Sequence, residues 1–351
     1  MSTILDIDFL ENSYKEFKAD ELYGRWIKIE DIEPLCKKTR DLISWKLLGN
    51  SFEKRPIYKL RLGTGKKKIL IWSQMHGNES TGTKAVFDFL NFIDSNVNKD
   101  ITTTILENCT IEIIPMLNPD GSLAYTRVNS QNIDLNRDAV DQIAGESKLL
   151  RETLDTFNPD FCFNLHDQRT IFGVEGKGTP ATISFLAPSE EESRALTQGR
   201  KETMNIIVAM NELLQKVIPD HVGRYTDEFY PTATGDNFQK EGFNTILIEA
   251  GHFPKDYDRE EVRKFNFFAL LQGIYHIAAA VKFESYKMYF EIPNNTQNFY
   301  DIIHRYPSKK IDFGYLYEEK IINNKYITHL NKVNEGDLSD YKGHSEIVFE
   351  C

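Results

Sequence analysis

The polar residues best suited to chemistry in this chain stand at the ends of apolar runs. His76 and Glu79 follow residues 69–73, Asn118 follows 111–117, His166 follows 161–165, and Glu249 follows 245–248. Two imidazoles and a carboxylate form a complete set of protein ligands for a catalytic zinc ion, with the fourth position left to water. A second glutamate then remains to act as a base.

Residues so far apart in sequence can cooperate only if the fold gathers them. The apolar runs are short and unbroken, as expected for strands buried on both faces. Helical periodicity separates them: near 80–93, where Ala85, Val86, Phe89, Leu90 and Ile93 share a face, and again near 146–157, 189–217 and 259–281. Alternating strand and helix predicts an α/β fold, with a central mixed, mostly parallel sheet flanked by helices. In such a sheet ligands bind beyond the carboxyl ends of the strands, where all four polar clusters lie.

Around this unit, 46–281, the texture changes twice. Residues 1–45 read as a helical extension, with Leu35, Leu42 and Ile43 spaced as on an amphipathic helix that starts near Asp31 or Glu33. Residues 282–351 hold Tyr- and Ile-rich runs at 286–292, 311–317 and 326–330, a small β-rich appendage. Gly63-Thr64-Gly65-Lys66 reads as a turn between strands, since it lacks the glycine spacing of a phosphate loop.

With 351 residues, 40% hydrophobic and 27% charged, the chain has ample material for a core. A net charge of −11 argues against a nucleic-acid partner, which calls for a basic face. Cys36, Cys109, Cys162 and Cys351 form no paired motif, so they read as reduced thiols rather than disulfides or metal ligands. The first residues lack a signal-like apolar core, and no run is long enough to span a bilayer, so the expectation is a cytoplasmic protein without a membrane partner.

Taken together, HGNE at 76, NPDG at 118, RVNSQNIDLNR from Arg127, a strand-ending His166 and a strand-ending Glu249 resemble the zinc carboxypeptidase family typified by carboxypeptidase A. The resemblance spans about residues 45–280. It implies one Zn²⁺ held by His76, Glu79 and His166, with Glu249 as general base and Arg127 polarising the scissile carbonyl. It further implies that Asn136 and Arg137 grip the substrate's free carboxylate and that Asp134 orients His76. Tyr230 matches the tyrosine that closes over the substrate, with Tyr225 as its competitor, and Asp236 is a candidate for lining the side-chain pocket.

One position departs from the pattern. Residue 78 is Asn where digestive carboxypeptidases carry Arg, and HGNE resembles the succinylglutamate desuccinylase and aspartoacylase branch. The expected substrate is therefore a peptide with a free carboxylate or, alternatively, an N-acyl amino acid. A third reading is a non-catalytic peptide-binding relative.

Overall fold

A computed structural model describes residues 4–38, 40–95 and 97–349. Cys351 lies outside the described residues, while Cys36, Cys109 and Cys162 are buried free thiols.

Among the described residues, eight strands form the central sheet: β1 (Ile43–Asn50), β2 (Pro56–Leu62), β3 (Lys67–Ser73), β4 (Cys109–Ile114), β5 (Phe161–Asp167), β7 (Ile183–Leu186), β8 (Val222–Arg224) and β9 (Asn244–Ala250). Their order is β1-β2-β4-β3-β5-β9-β7-β8. The four at the centre, β4, β3, β5 and β9, run parallel, and antiparallel pairs flank them. Because β4 and β5 lie on opposite sides of β3, the chain reverses its winding there, and a crevice opens beyond the carboxyl ends of these strands.

Helices cover both faces, as the apolar strands require. They are α1 (Ile7–Phe17), α2 (Ile29–Lys37), α3 (Thr81–Ser95), α4 (Lys99–Asn108), α5 (Pro119–Ala124), α6 (Gly145–Phe157), α7 (Gln198–Leu214), α8 (Thr234–Lys240) and α9 (Glu260–Ala279). The larger core joins α1, α3, α7 and α9 to one face of the sheet, and a smaller one forms on the other face around Trp72, Leu150, Leu154 and Phe238. No described helix is long and apolar enough to cross a membrane.

The remaining strands are a short pair, β6 (Phe172–Val174) with β10 (Asn295–Gln297), and a C-terminal sheet. That sheet contains β11 (Phe299–Tyr306), β12 (Ile311–Ile322), β13 (Lys325–Gly336) and β14 (Lys342–Val348), in the order β13-β12-β11-β14.

Three local expectations need correction. Leu42 and Ile43 do not continue a helix: α2 ends at Lys37, and Ile43 opens β1. The apolar run at 111–117 is not strand throughout, because β4 stops before Pro115, which has no N–H to give the ladder. Leu117 and Asn118 nevertheless donate to the carbonyls of Ser73 and Gln74, so Asn118 still arrives beside β3. Residues 286–292 form a 3₁₀ turn, not a strand, and it packs against α7 with Tyr289 fully buried. The turn at 63–66 joins β2 to β3 as read from the sequence, and β4 lies between these two strands in the sheet.

Candidate active site

His76 sits on the loop between β3 and α3, and Glu79 lies just before α3 begins. The loop is held tightly: a Cβ on Gly77 would lie 1.9 Å from the backbone carbon of Gly121, so only glycine permits this approach. Asn118 secures the other side, capping α5 by accepting from the Gly121 N–H and donating to the Met75 carbonyl. HGNE and NPDG thus lock together, and NPDG forms a capped helical turn.

Glu79 stands between two imidazoles. Its Oε1 lies 2.8 Å from His76 Nδ1 and its Oε2 2.8 Å from His166 Nδ1, and the Asp167 N–H donates to Oε2. The ligand atoms of His76, Glu79 and His166 lie within 4.8 Å of one another, and all three residues are buried. Two imidazole nitrogens and a carboxylate converging at this spacing fit a zinc ion. The other ring nitrogen of His76 lies 3.0 Å from Asp134 Oδ1, the kind of contact that fixes the tautomer of a ligating histidine.

Electrostatics agree with a cationic occupant. Burial opposes ionisation of Glu79, but the two histidines outweigh it and hold the carboxyl well below its usual range. Burial also lowers His76, yet Glu79 and Asp134 raise it above its ordinary value, whereas in His166 burial prevails and the pKa falls. Glu249 is pushed well up, first by burial and then by the negative charges of Glu79 and Asp167. Such crowding of carboxylates is relieved by a dication among them.

Arg127 reaches over the ligand atoms. Its Nε donates to Asp134 Oδ2 at 2.9 Å, and its Nη1 stands 3.2 Å from His76 Nδ1 and 3.5 Å from Glu79 Oε1. Asn136 and Arg137 occupy the 3₁₀ turn that follows Asp134, with the Asn136 side chain accepting from the Thr234 N–H. The Arg137 guanidinium lies 5.5 Å from the Tyr230 ring centroid, on an exposed part of the rim. Asp236 accepts from the Tyr230 N–H at 3.0 Å, and burial raises its carboxyl to about 6.

His76, Glu79, Arg127, Asn136, Arg137, His166, Tyr230, Asp236 and Glu249 line one cleft of about 710 Å³. Sequence reasoning missed several of its other walls. Asp167 accepts from the Thr81 hydroxyl and pairs with buried Arg259 at 3.1 Å. Its position beside His166 at a strand end was the available signal. Tyr225 also lines the cleft, its phenol raised by burial and by Glu249 and Glu79, so both tyrosines considered from sequence reach the site. Arg25 and residues 316–319 of β12 complete the wall. Asn78, the residue that departs from the digestive pattern, lines the cleft with its side-chain oxygen buried and unpaired.

Comparison with known proteins agrees with this geometry. Residues 30–196 match the zinc carboxypeptidase family model, a span that holds His76, Glu79, Arg127, Asn136, Arg137 and His166. Carboxypeptidase SOL1 of Arabidopsis thaliana is 31% identical over 121 residues, covering 32% of this chain and 24% of that protein. Mouse carboxypeptidase A4 is 30% identical over 136 residues, covering 36% of this chain and 32% of that protein. The chain therefore aligns with about a quarter to a third of these curated relatives. Among solved structures, the carboxypeptidase A of Helicoverpa armigera has a TM-score of 0.58 at 16% identity, covering 78% of this chain and 81% of the other. A metallo-carboxypeptidase from Burkholderia cenocepacia has a TM-score of 0.56 at 20% identity, covering 71% and 67%. Residues 30–196, which hold most of the site, are thus similar to the zinc carboxypeptidase family, and the fold they sit in is similar to that of solved carboxypeptidases.

Proposed function

We propose that the protein is a zinc-dependent carboxypeptidase that hydrolyses the last amide bond of a peptide bearing a free carboxylate. The observation that carries this reading is the convergence of His76, Glu79 and His166 beside Glu249 in a cleft that also holds Arg127, Asn136 and Arg137. When bound by the two histidines and Glu79, zinc supplies the Lewis acidity that activates water and polarises a carbonyl.

The chain's own residues do the rest. Glu249 takes a proton from the attacking water and returns it to the leaving amine. Its raised pKa favours that return. Arg127 presents a fixed positive charge where the carbonyl oxygen becomes anionic. Asp134 holds both His76 and Arg127, so ligand and oxyanion partner share one support. Asn136 and Arg137 orient the substrate through its carboxylate, which a guanidinium can engage with two parallel hydrogen bonds. Tyr230, stacked beneath Arg137, covers the bound end, and Asp236 faces the side chain to be released.

The test is amino-acid release from peptides by zinc-loaded protein, run beside the same peptides with amidated C-termini and beside N-acyl amino acids. Cleavage of free-acid peptides, with amidated ones resisting, is expected. Equal cleavage of amidated peptides would overturn the carboxylate clamp. Cleavage of acyl amino acids alone would move the substrate to the deacylase class.

A further inference from the structure

The catalytic scheme makes no use of the C-terminal sheet, yet that sheet forms a wall of the cleft. Asp301 of β11 and residues 316–319 of β12 line the same cavity as His76, His166 and Glu249. We propose that this wall sets substrate length, confining the enzyme to short amides with a free carboxylate, such as peptides of roughly two or three residues, enclosed whole. The proposal rests on the carboxypeptidase reading and adds to it the substrate class.

The wall is anchored to the catalytic body from several sides. Buried Arg25 reaches Glu319 of β12 with both terminal nitrogens, at 2.8 and 3.2 Å. Tyr125, at the end of α5, donates to the same carboxylate at 2.8 Å, and its ring meets Tyr326 of β13 edge-on at 5.2 Å. Asp301 of β11 accepts from the Tyr257 hydroxyl at 3.1 Å and from the Tyr317 N–H at 2.8 Å, and those two rings pack edge-on. Separating Arg25 from Glu319 would strand a charge in a buried setting, so β12 is built as a fixed wall rather than as a lid.

Volume supports the same conclusion. A cleft of about 710 Å³ lies within the range of pockets that enclose a small molecule almost entirely. On this proposal a long peptide has to leave it past β12.

The experiment uses the full chain loaded with zinc and a ladder of peptides from about two to eight residues that share one C-terminal residue. The expected result is a kcat/KM about tenfold or more lower for the longest peptides than for the shortest. A flat ladder overturns the length limit and leaves the carboxypeptidase reading standing. Release of nothing from any peptide or acyl amino acid removes both. Glu319→Gln and Tyr326→Ala loosen the wall at two different anchors. In variants that retain a cooperative thermal transition, the ratio of long-peptide to short-peptide kcat/KM should rise about tenfold. An unchanged ratio in both would show that the hairpin does not set the limit, and if neither variant folds, the wild-type ladder decides.

Discussion

His166 and Glu249 are register partners on the adjacent parallel strands β5 and β9. Partners across a ladder point to the same face, one strand spacing of about 4.8 Å apart. A proposed zinc ligand and the proposed base are thus set by the backbone of the sheet rather than by a loop. A one-residue slip of β9 would turn Glu249 to the opposite face and leave the ligand set without a base.

Glu249→Gln keeps the side chain's shape and removes its basicity. With zinc content unchanged, kcat should fall by about 10²- to 10⁴-fold, the usual worth of general acid–base catalysis. The measurement pairs peptide hydrolysis with metal analysis of the same sample. A variant that binds zinc and retains wild-type kcat would rule out Glu249 as the base.

Asp134 contacts His76 Nε2 and Arg127 Nε through different oxygens. Asp134→Asn leaves an amide that cannot carry the charge holding both groups. Zinc affinity should weaken by about 10- to 100-fold, as when other outer partners of metal ligands are changed. Competition with a chelator of known affinity reads this directly, and an unaltered zinc affinity would mean that Asp134 does not support the metal site.

Arg137 has a readout separate from catalysis. Losing a hydrogen bond to a charged group costs about 1.5–3 kcal/mol, so Arg137→Ala should raise KM for free-acid peptides by roughly 10- to 100-fold. The preference over amidated peptides should shrink with it. If KM and that preference both stay put, the carboxylate is held elsewhere.

Much of this was readable because parallel strands buried on both faces leave long apolar runs, and the site residues stand where those runs end. Ile69 to Ser73 and Phe161 to Leu165 lie within β3 and β5, and His166 and Glu249 fall on their strands as the sequence suggests. The aromatic run at 286–292 misled because aromatic residues favour strands, whereas here the anchoring of Tyr289 beside α7 imposes a 3₁₀ turn. The wall formed by Glu319 had no local signature at all. Arg25 and Glu319 are 294 positions apart, and each alone reads as an ordinary surface charge. Pairs of that kind are created only by docking.

The Asp236 carboxyl is raised by burial from its ordinary 3.8 to about 6. Between those values the folded protein keeps a proton that the unfolded chain has released. Stability contributed by the protonated form is therefore complete below pH 3.8 and is lost as pH rises to about 6, on the order of 3 kcal/mol in all. Asp236→Asn retains an oxygen for the Tyr230 N–H and does not titrate. Urea melts across this window should show a flatter stability profile in the variant, and parallel profiles for the two proteins would count against a raised Asp236.

Asp88 of α3 is the hub of a buried network tying the N-terminal segment to the core. Its Oδ2 accepts from the Tyr14 hydroxyl and from Arg263 Nε, both at 2.7 Å, while its Oδ1 accepts from the Ala19 N–H and from Arg263 Nη2 at 2.8 and 2.6 Å. The Arg263 and Asp88 side chains are fully buried, so removing the acid leaves a guanidinium with its charge largely uncompensated. Asp88→Ala should cost about 3–5 kcal/mol of stability, the penalty for breaking a buried pair from one side. Replacing both partners with apolar residues of similar volume should cost less than the single change, because no stranded charge remains. Denaturant melts of the single and double variants decide the matter: a double variant less stable than Asp88→Ala would show that the ion pair itself, rather than the avoidance of an unpaired charge, holds α1, α3 and α9 together.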